Sequence, residues 1–141
     1  MYKKIKFKKP VLPKIQICQS EGSEYLYKLK NSSLDLILTD PPKFNNKTKF
    51  NVEMLEDFIK IYYKKLRKGG TIIIWFDIWK LSILKEIMEK HKFKQIRIIE
   101  WVKSNIESSY SKINYLKNCR EVALVGVKVS KPTFNSICDN G

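Results

Sequence analysis

The stretch Leu34-Asp35-Leu36-Ile37-Leu38-Thr39-Asp40-Pro41-Pro42 decides the fold. From Leu34 to Thr39 it is a short, mostly apolar run, the pattern of a strand buried in a parallel-type sheet. Two consecutive prolines cannot donate to a ladder and hold the residue before them extended. The strand therefore ends at Thr39 and opens into a polar loop running to about Phe50. A loop that leaves the carboxyl end of a strand is where α/β sheets place their ligands.

Downstream, Asn51 can cap a helix in which Val52, Leu55, Phe58, Ile59, Tyr62 and Leu66 recur at helical spacing until Gly69-Gly70 stop it. Thr71 to Phe76 reads as a buried strand. Asp77 can cap a second amphipathic helix, with Leu81, Leu84, Ile87 and Met88 on one face, ending near His91. Gln95 to Lys103 and Arg120 to Val129 complete the set of strands. Upstream, Ile15 to Cys18 is a short strand candidate, and Ser23 to Lys30 a short helix closed by Asn31-Ser32-Ser33. Such alternation predicts an α/β fold with a doubly wound, mainly parallel sheet and helices on both faces. The Thr39 strand should lie between the Ile15 and Thr71 strands, with Asp40 at the carboxyl edge.

Length and charge narrow the function. The 141 residues make one domain, 15–141, behind a basic arm, 1–14, that holds Lys3, Lys4, Lys6, Lys8, Lys9 and Lys14 and no acidic residue. Twenty-eight Lys plus Arg against 14 Asp plus Glu give a formal charge of +14, an excess that favours a polyanion, with nucleic acid first. No apolar run approaches the roughly 20 residues of a membrane span, so no membrane partner is expected. The N-terminus lacks a secretory signal, which implies a cytoplasmic protein, or a nuclear one in a eukaryote. Cys18, Cys119 and Cys138 are then free thiols, and their spacing, with only His91 to help, gives no metal set.

Methyl transfer to an exocyclic amine needs an acceptor that draws the amine's hydrogens while the base is held out of its stack. Asp40 can accept one hydrogen. Pro41 and Pro42 fix the backbone so that a main-chain carbonyl accepts another, and an aromatic just beyond them can stack on the base.

Four blocks in order carry a family resemblance. The segment Ser33 to Pro42 resembles the strand and Asp-Pro-Pro motif of the amino-methyltransferases that act on adenine N6 or cytosine N4, in the permuted order that puts this motif before the cofactor's glycine motif. Leu66 to Ile74 is similar to the helix end and strand that follow. Ile99 to Asn105 looks like the family's Trp-x-Lys-x-Asn strand, and Glu121 to Lys128 like its Glu-led strand. The permuted DNA methyltransferases, with Asp-Pro-Pro-Tyr, resemble the chain most. The messenger-RNA adenosine methyltransferases, with Asp-Pro-Pro-Trp, are the weaker match.

The resemblance implies an incomplete Rossmann-like methyltransferase core using S-adenosylmethionine, with DNA favoured over RNA as substrate. It implies catalytic roles for Asp40, Pro41, Pro42 and Phe44, and cofactor contacts from Asp40 and from Glu21, which stands where the family has the acid of a Gly-Asp pair. Lys43, Lys47, Lys103, Asn105 and Lys112 would face nucleic acid. Two departures matter: Lys43 occupies the aromatic position, leaving Phe44 to substitute, and the sequence contains no Gly-x-Gly. A second methyltransferase chain can supply that glycine motif. Two other readings stay open: a catalytically inactive nucleic-acid-binding subunit of an adenine methyltransferase complex, and an unrelated nucleotide-binding α/β domain.

Overall fold

The computed structural model describes residues 14–20, 22–44, 49–103 and 119–129. Helix α1 (Gly22–Lys28) leads into β1 (Leu34–Thr39); α2 (Val52–Lys65) leads directly into β2 (Leu66–Phe76). A 3₁₀ turn (Ile78–Lys80) opens α3 (Leu81–Lys90), and β3 (Phe93–Val102) and β4 (Arg120–Lys128) follow. Local chemistry sets these bounds. Asn51 caps α2 by accepting from the Met54 amide at 2.9 Å, and Asp77 accepts from the Trp79 amide at 3.1 Å at the start of the 3₁₀ turn.

The four strands form one sheet in the order β1-β2-β4-β3. β1 and β2 pair in parallel, and β4 pairs antiparallel with both β2 and β3. Three strands therefore run one way and β4 runs back between two of them. The α/β class holds, with a mixed sheet. The strand expected at Ile15 to Cys18 does not form; those residues are exposed coil, and β1 pairs with β2 alone among the described residues. Four residues are too few to be held without a neighbour that offers both ladder bonds and an apolar face.

The core lies between the sheet and the helices. Leu55, Ile59 and Tyr62 of α2 and Leu84, Ile87 and Met88 of α3 pack on Ile37, Ile72, Ile74, Phe76 and Leu124. Each fully buried aliphatic side chain contributes about 1.5–3 kcal/mol by leaving water. On the opposite face Leu36, Leu38, Ile99 and Trp101 are exposed, so among the described residues the helices α2 and α3 cover one side only. None of the described helices is long and apolar enough to cross a membrane.

β2 begins earlier than the glycine pair suggested, because Gly69 takes a positive φ of 76° and Gly70 sits tight against backbone. A Cβ at Gly70 would meet the Arg67 carbonyl oxygen at 2.9 Å and the Leu34 carbonyl oxygen at 3.1 Å. At Gly126 the nearest atom is the Met88 Cε, at 2.5 Å, the far end of a flexible side chain. Gly70→Ala should therefore destabilise by about 1–3 kcal/mol and Gly126→Ala by less, because a methionine tip can move and a ladder carbonyl cannot. Urea unfolding of the two variants checks the order.

Candidate active site

Asp40 follows the last residue of β1 and is exposed. Tyr62 of α2, whose hydroxyl is pushed up by burial, shares a hydrogen bond with Thr39 and so ties the end of β1 to the core one residue before Asp40. Because β1, β2 and β3 run the same way, their carboxyl ends meet the start of β4 at one edge of the sheet. There Asp40, Lys43, Trp75, Trp101, Lys103 and Glu121 line a cavity of about 480 Å³, with Phe76 behind them. Small-molecule sites fall in this size range.

The cavity has an aromatic wall and a charged one. Trp75 of β2 and Trp101 of β3 meet edge to face across β4, with ring centroids 6.4 Å apart, and Trp101 is 59% exposed. Lys103 Nζ donates to Glu121 Oε1 at 2.6 Å. That hydrogen bond holds the Glu121 carboxyl below its ordinary value, against a partial burial that raises it, and the charge of Lys43 lowers it further. The Lys103 amide also donates to the Cys119 carbonyl at 2.8 Å, which joins β3 and β4 at this edge.

The structure brings Asp40, Lys43 and Lys103 together. Pro41 is half-buried and Pro42 exposed beside them. Phe44 does not line the cavity: its ring stacks on Phe50 at 5.5 Å and meets Phe76 of the lining edge-on at 5.4 Å. Lys80 Nζ donates to the Phe44 carbonyl at 2.7 Å and lies 5.2 Å from its ring. A phenyl ring flanked by two core aromatics gains more there than at an open rim, and the aromatic rings on the cavity wall besides Phe76 are those of Trp75 and Trp101. Glu21, Lys47, Asn105, Lys112, the arm before Lys14 and the segment 104–118 lie outside the described residues. Sequence reasoning missed Trp75, and took Trp101 and Glu121 only as family landmarks. The signal was available: Trp75 stands one place from the end of β2, close to the edge that Thr39 reaches in β1.

The backbone matches solved structures. The crystal structure of M1.HpyAVI with S-adenosylmethionine superposes with a TM-score of 0.59 at 23% identity, over 84% of this chain and 54% of that one. The cytosine-N4-specific PvuII DNA methyltransferase gives 0.62 at 17%, over 80% and 49%. The fold is the methyltransferase fold. A putative DNA modification methylase from Thermus thermophilus, complexed with S-adenosyl-L-methionine, shares that fold with a TM-score of 0.58 at 17% identity, over 81% and 53%. The chain thus spans about half the length of these methyltransferases. No protein-family model matches it, and no curated protein does.

Proposed function

We propose that this chain carries the amine-holding half of an S-adenosylmethionine-dependent DNA methyltransferase, with adenine N6 as the acceptor. The observation that carries the reading is Asp40, placed by β1 at the mouth of a cavity walled by Trp75 and Trp101. An exposed carboxylate beside two indoles suits an extruded base: the carboxylate accepts an amine hydrogen, and the rings offer π surface worth about 1–3 kcal/mol per stacked base. Pro41 and Pro42 fix the backbone from which a carbonyl accepts the second hydrogen. Lys103 and Glu121 pair within the same cavity, where the charge of Lys43 also acts on Glu121.

The same groups fit the methyl donor in part. A sulfonium is a cation, and a carboxylate flanked by aromatic rings is chemistry that attracts it. Asp40 would sit between the two substrates, with Glu21 as a further contact. When bound, S-adenosylmethionine supplies the methyl group. The described residues offer no Gly-x-Gly loop for its methionine end, and the matched part covers only 54% and 49% of two of the solved chains. The remainder of the donor pocket is therefore assigned to a glycine-rich partner segment, including one supplied by a second methyltransferase chain. DNA is preferred to RNA because the PvuII protein is a DNA methyltransferase and the Thermus thermophilus protein a putative DNA modification methylase.

The test is transfer of labelled methyl groups, with the glycine-rich segment supplied, to an oligonucleotide containing adenine and to one with hypoxanthine in its place. Label should enter the first alone. Equal labelling would remove the exocyclic amine of adenine as the acceptor, and labelling that follows cytosine content would move the activity to N4.

A further inference from the structure

At the other end of β1 from Asp40, α1 and α2 enclose a groove of about 340 Å³ lined by Tyr27, Asn31, Asp57, Lys60, Lys64 and Lys65. The geometry points to a second nucleic-acid site here, with the lysines holding the phosphodiester backbone and Tyr27 a base. Lys65 is 7% exposed, and its ammonium donates to the Leu29 carbonyl at 2.6 Å. Among the described residues no carboxylate pairs with Lys60, Lys64 or Lys65, although Asp57 lies in the same groove. A lysine this buried, whose ammonium meets one carbonyl acceptor, keeps N–H donors that an anion would satisfy.

The end of a helix normally repels anions, since its last carbonyls carry roughly half a negative charge. Here the last two of those carbonyls are already occupied. The Ser32 amide donates to the Lys64 carbonyl and the Ser33 amide to the Lys65 carbonyl, each at 2.9 Å. What lines the groove is three ammoniums against one carboxylate, beside a tyrosine that is 68% exposed. Cations interleaved with an exposed aromatic ring favour nucleic acid over an acidic polypeptide, which has no use for the ring.

The site deepens the proposed function and rests on its nucleic-acid substrate. The groove and Asp40 are separated by the length of β1, about 20 Å at 3.3 Å per residue. At 3.4 Å per nucleotide that distance is roughly six steps of one strand. A strand held at both places would be anchored well outside the base being modified.

Fluorescence anisotropy of the full chain with a single-stranded oligodeoxynucleotide tests this. Lys60→Glu/Lys64→Glu should weaken binding at least tenfold and flatten the plot of log affinity against log salt by about 1.4, at roughly 0.7 per phosphate. Lys85→Glu/Lys94→Glu makes the same change in net charge on α3 and β3 and should have a smaller effect. Tyr27→Ala should cost about fivefold or more. All four lysines are exposed, so circular dichroism should show the fold intact. Equal losses and equal slopes from the two double variants would overturn the groove and leave only net charge. Polyglutamate that competes equally well, with Tyr27→Ala silent, would reassign it to an acidic polypeptide. Failure of the unaltered chain to bind any oligonucleotide would instead remove the nucleic-acid reading itself.

Discussion

Asp40→Ala is expected to lower methyl transfer by about 10²–10³-fold, the usual cost of removing one well-placed polar group from a reacting centre. The loss should appear in kcat as well as in kcat/KM, because the carboxylate does most for an amine whose hydrogens become acidic as the new bond forms. The fold should not suffer. Asp40 is exposed and follows the strand, whereas Thr39 before it carries the tie to Tyr62. Asp40→Asn keeps an acceptor oxygen and loses the charge, so it should fall between alanine and the natural residue. The measurement is single-turnover transfer with the glycine-rich segment supplied, beside a thermal unfolding curve. Transfer that survives Asp40→Ala would place the reacting amine on the partner and make this chain its nucleic-acid-binding support.

That Asp40 could be located from sequence has a simple cause. Pro41 and Pro42 are two of the few residues whose backbone behaviour is independent of context, and they fix the end of β1 at Thr39, where the structure has it. Asn51 was equally legible, because an N-cap is a local hydrogen bond. The helical spacing of Leu55, Ile59 and Tyr62 likewise identified the buried face of α2.

Strand direction was another matter. The apolar runs of β3 and β4 look alike from either end, and the reversal of β4 between β2 and β3 depends on which partners lie beside it. Leu36 and Leu38 show the same limit. Their run reads as buried on both faces, yet with no described helix over the second face they are 51% and 61% exposed. The tryptophans stayed hidden for a related reason. Trp75 and Trp101 lie on separate strands far apart in the chain, and their rings meet only because β4 spaces β2 from β3. A tryptophan within an apolar strand is read as core unless the strand's order in the sheet is known.

On the proposed function the aromatic pair offsets the missing ring at Lys43, and this can be measured. If Trp101 supplies the stacking surface, Trp101→Ala should weaken capture of the extruded base by about 1–3 kcal/mol, a 5- to 150-fold loss in kcat/KM. Lys43→Tyr should then restore part of the loss in the Trp101→Ala background, while adding little to the natural chain, whose base is already stacked. The two changes are thus expected to be non-additive, as substitutions serving one contact are. Both side chains line the same cavity, and both are exposed, so stability should change little in either variant. A gain from Lys43→Tyr that is the same in both backgrounds would mean that the residues act independently. The extruded base would then lie against position 43 alone, with Trp101 serving only to close the sheet edge.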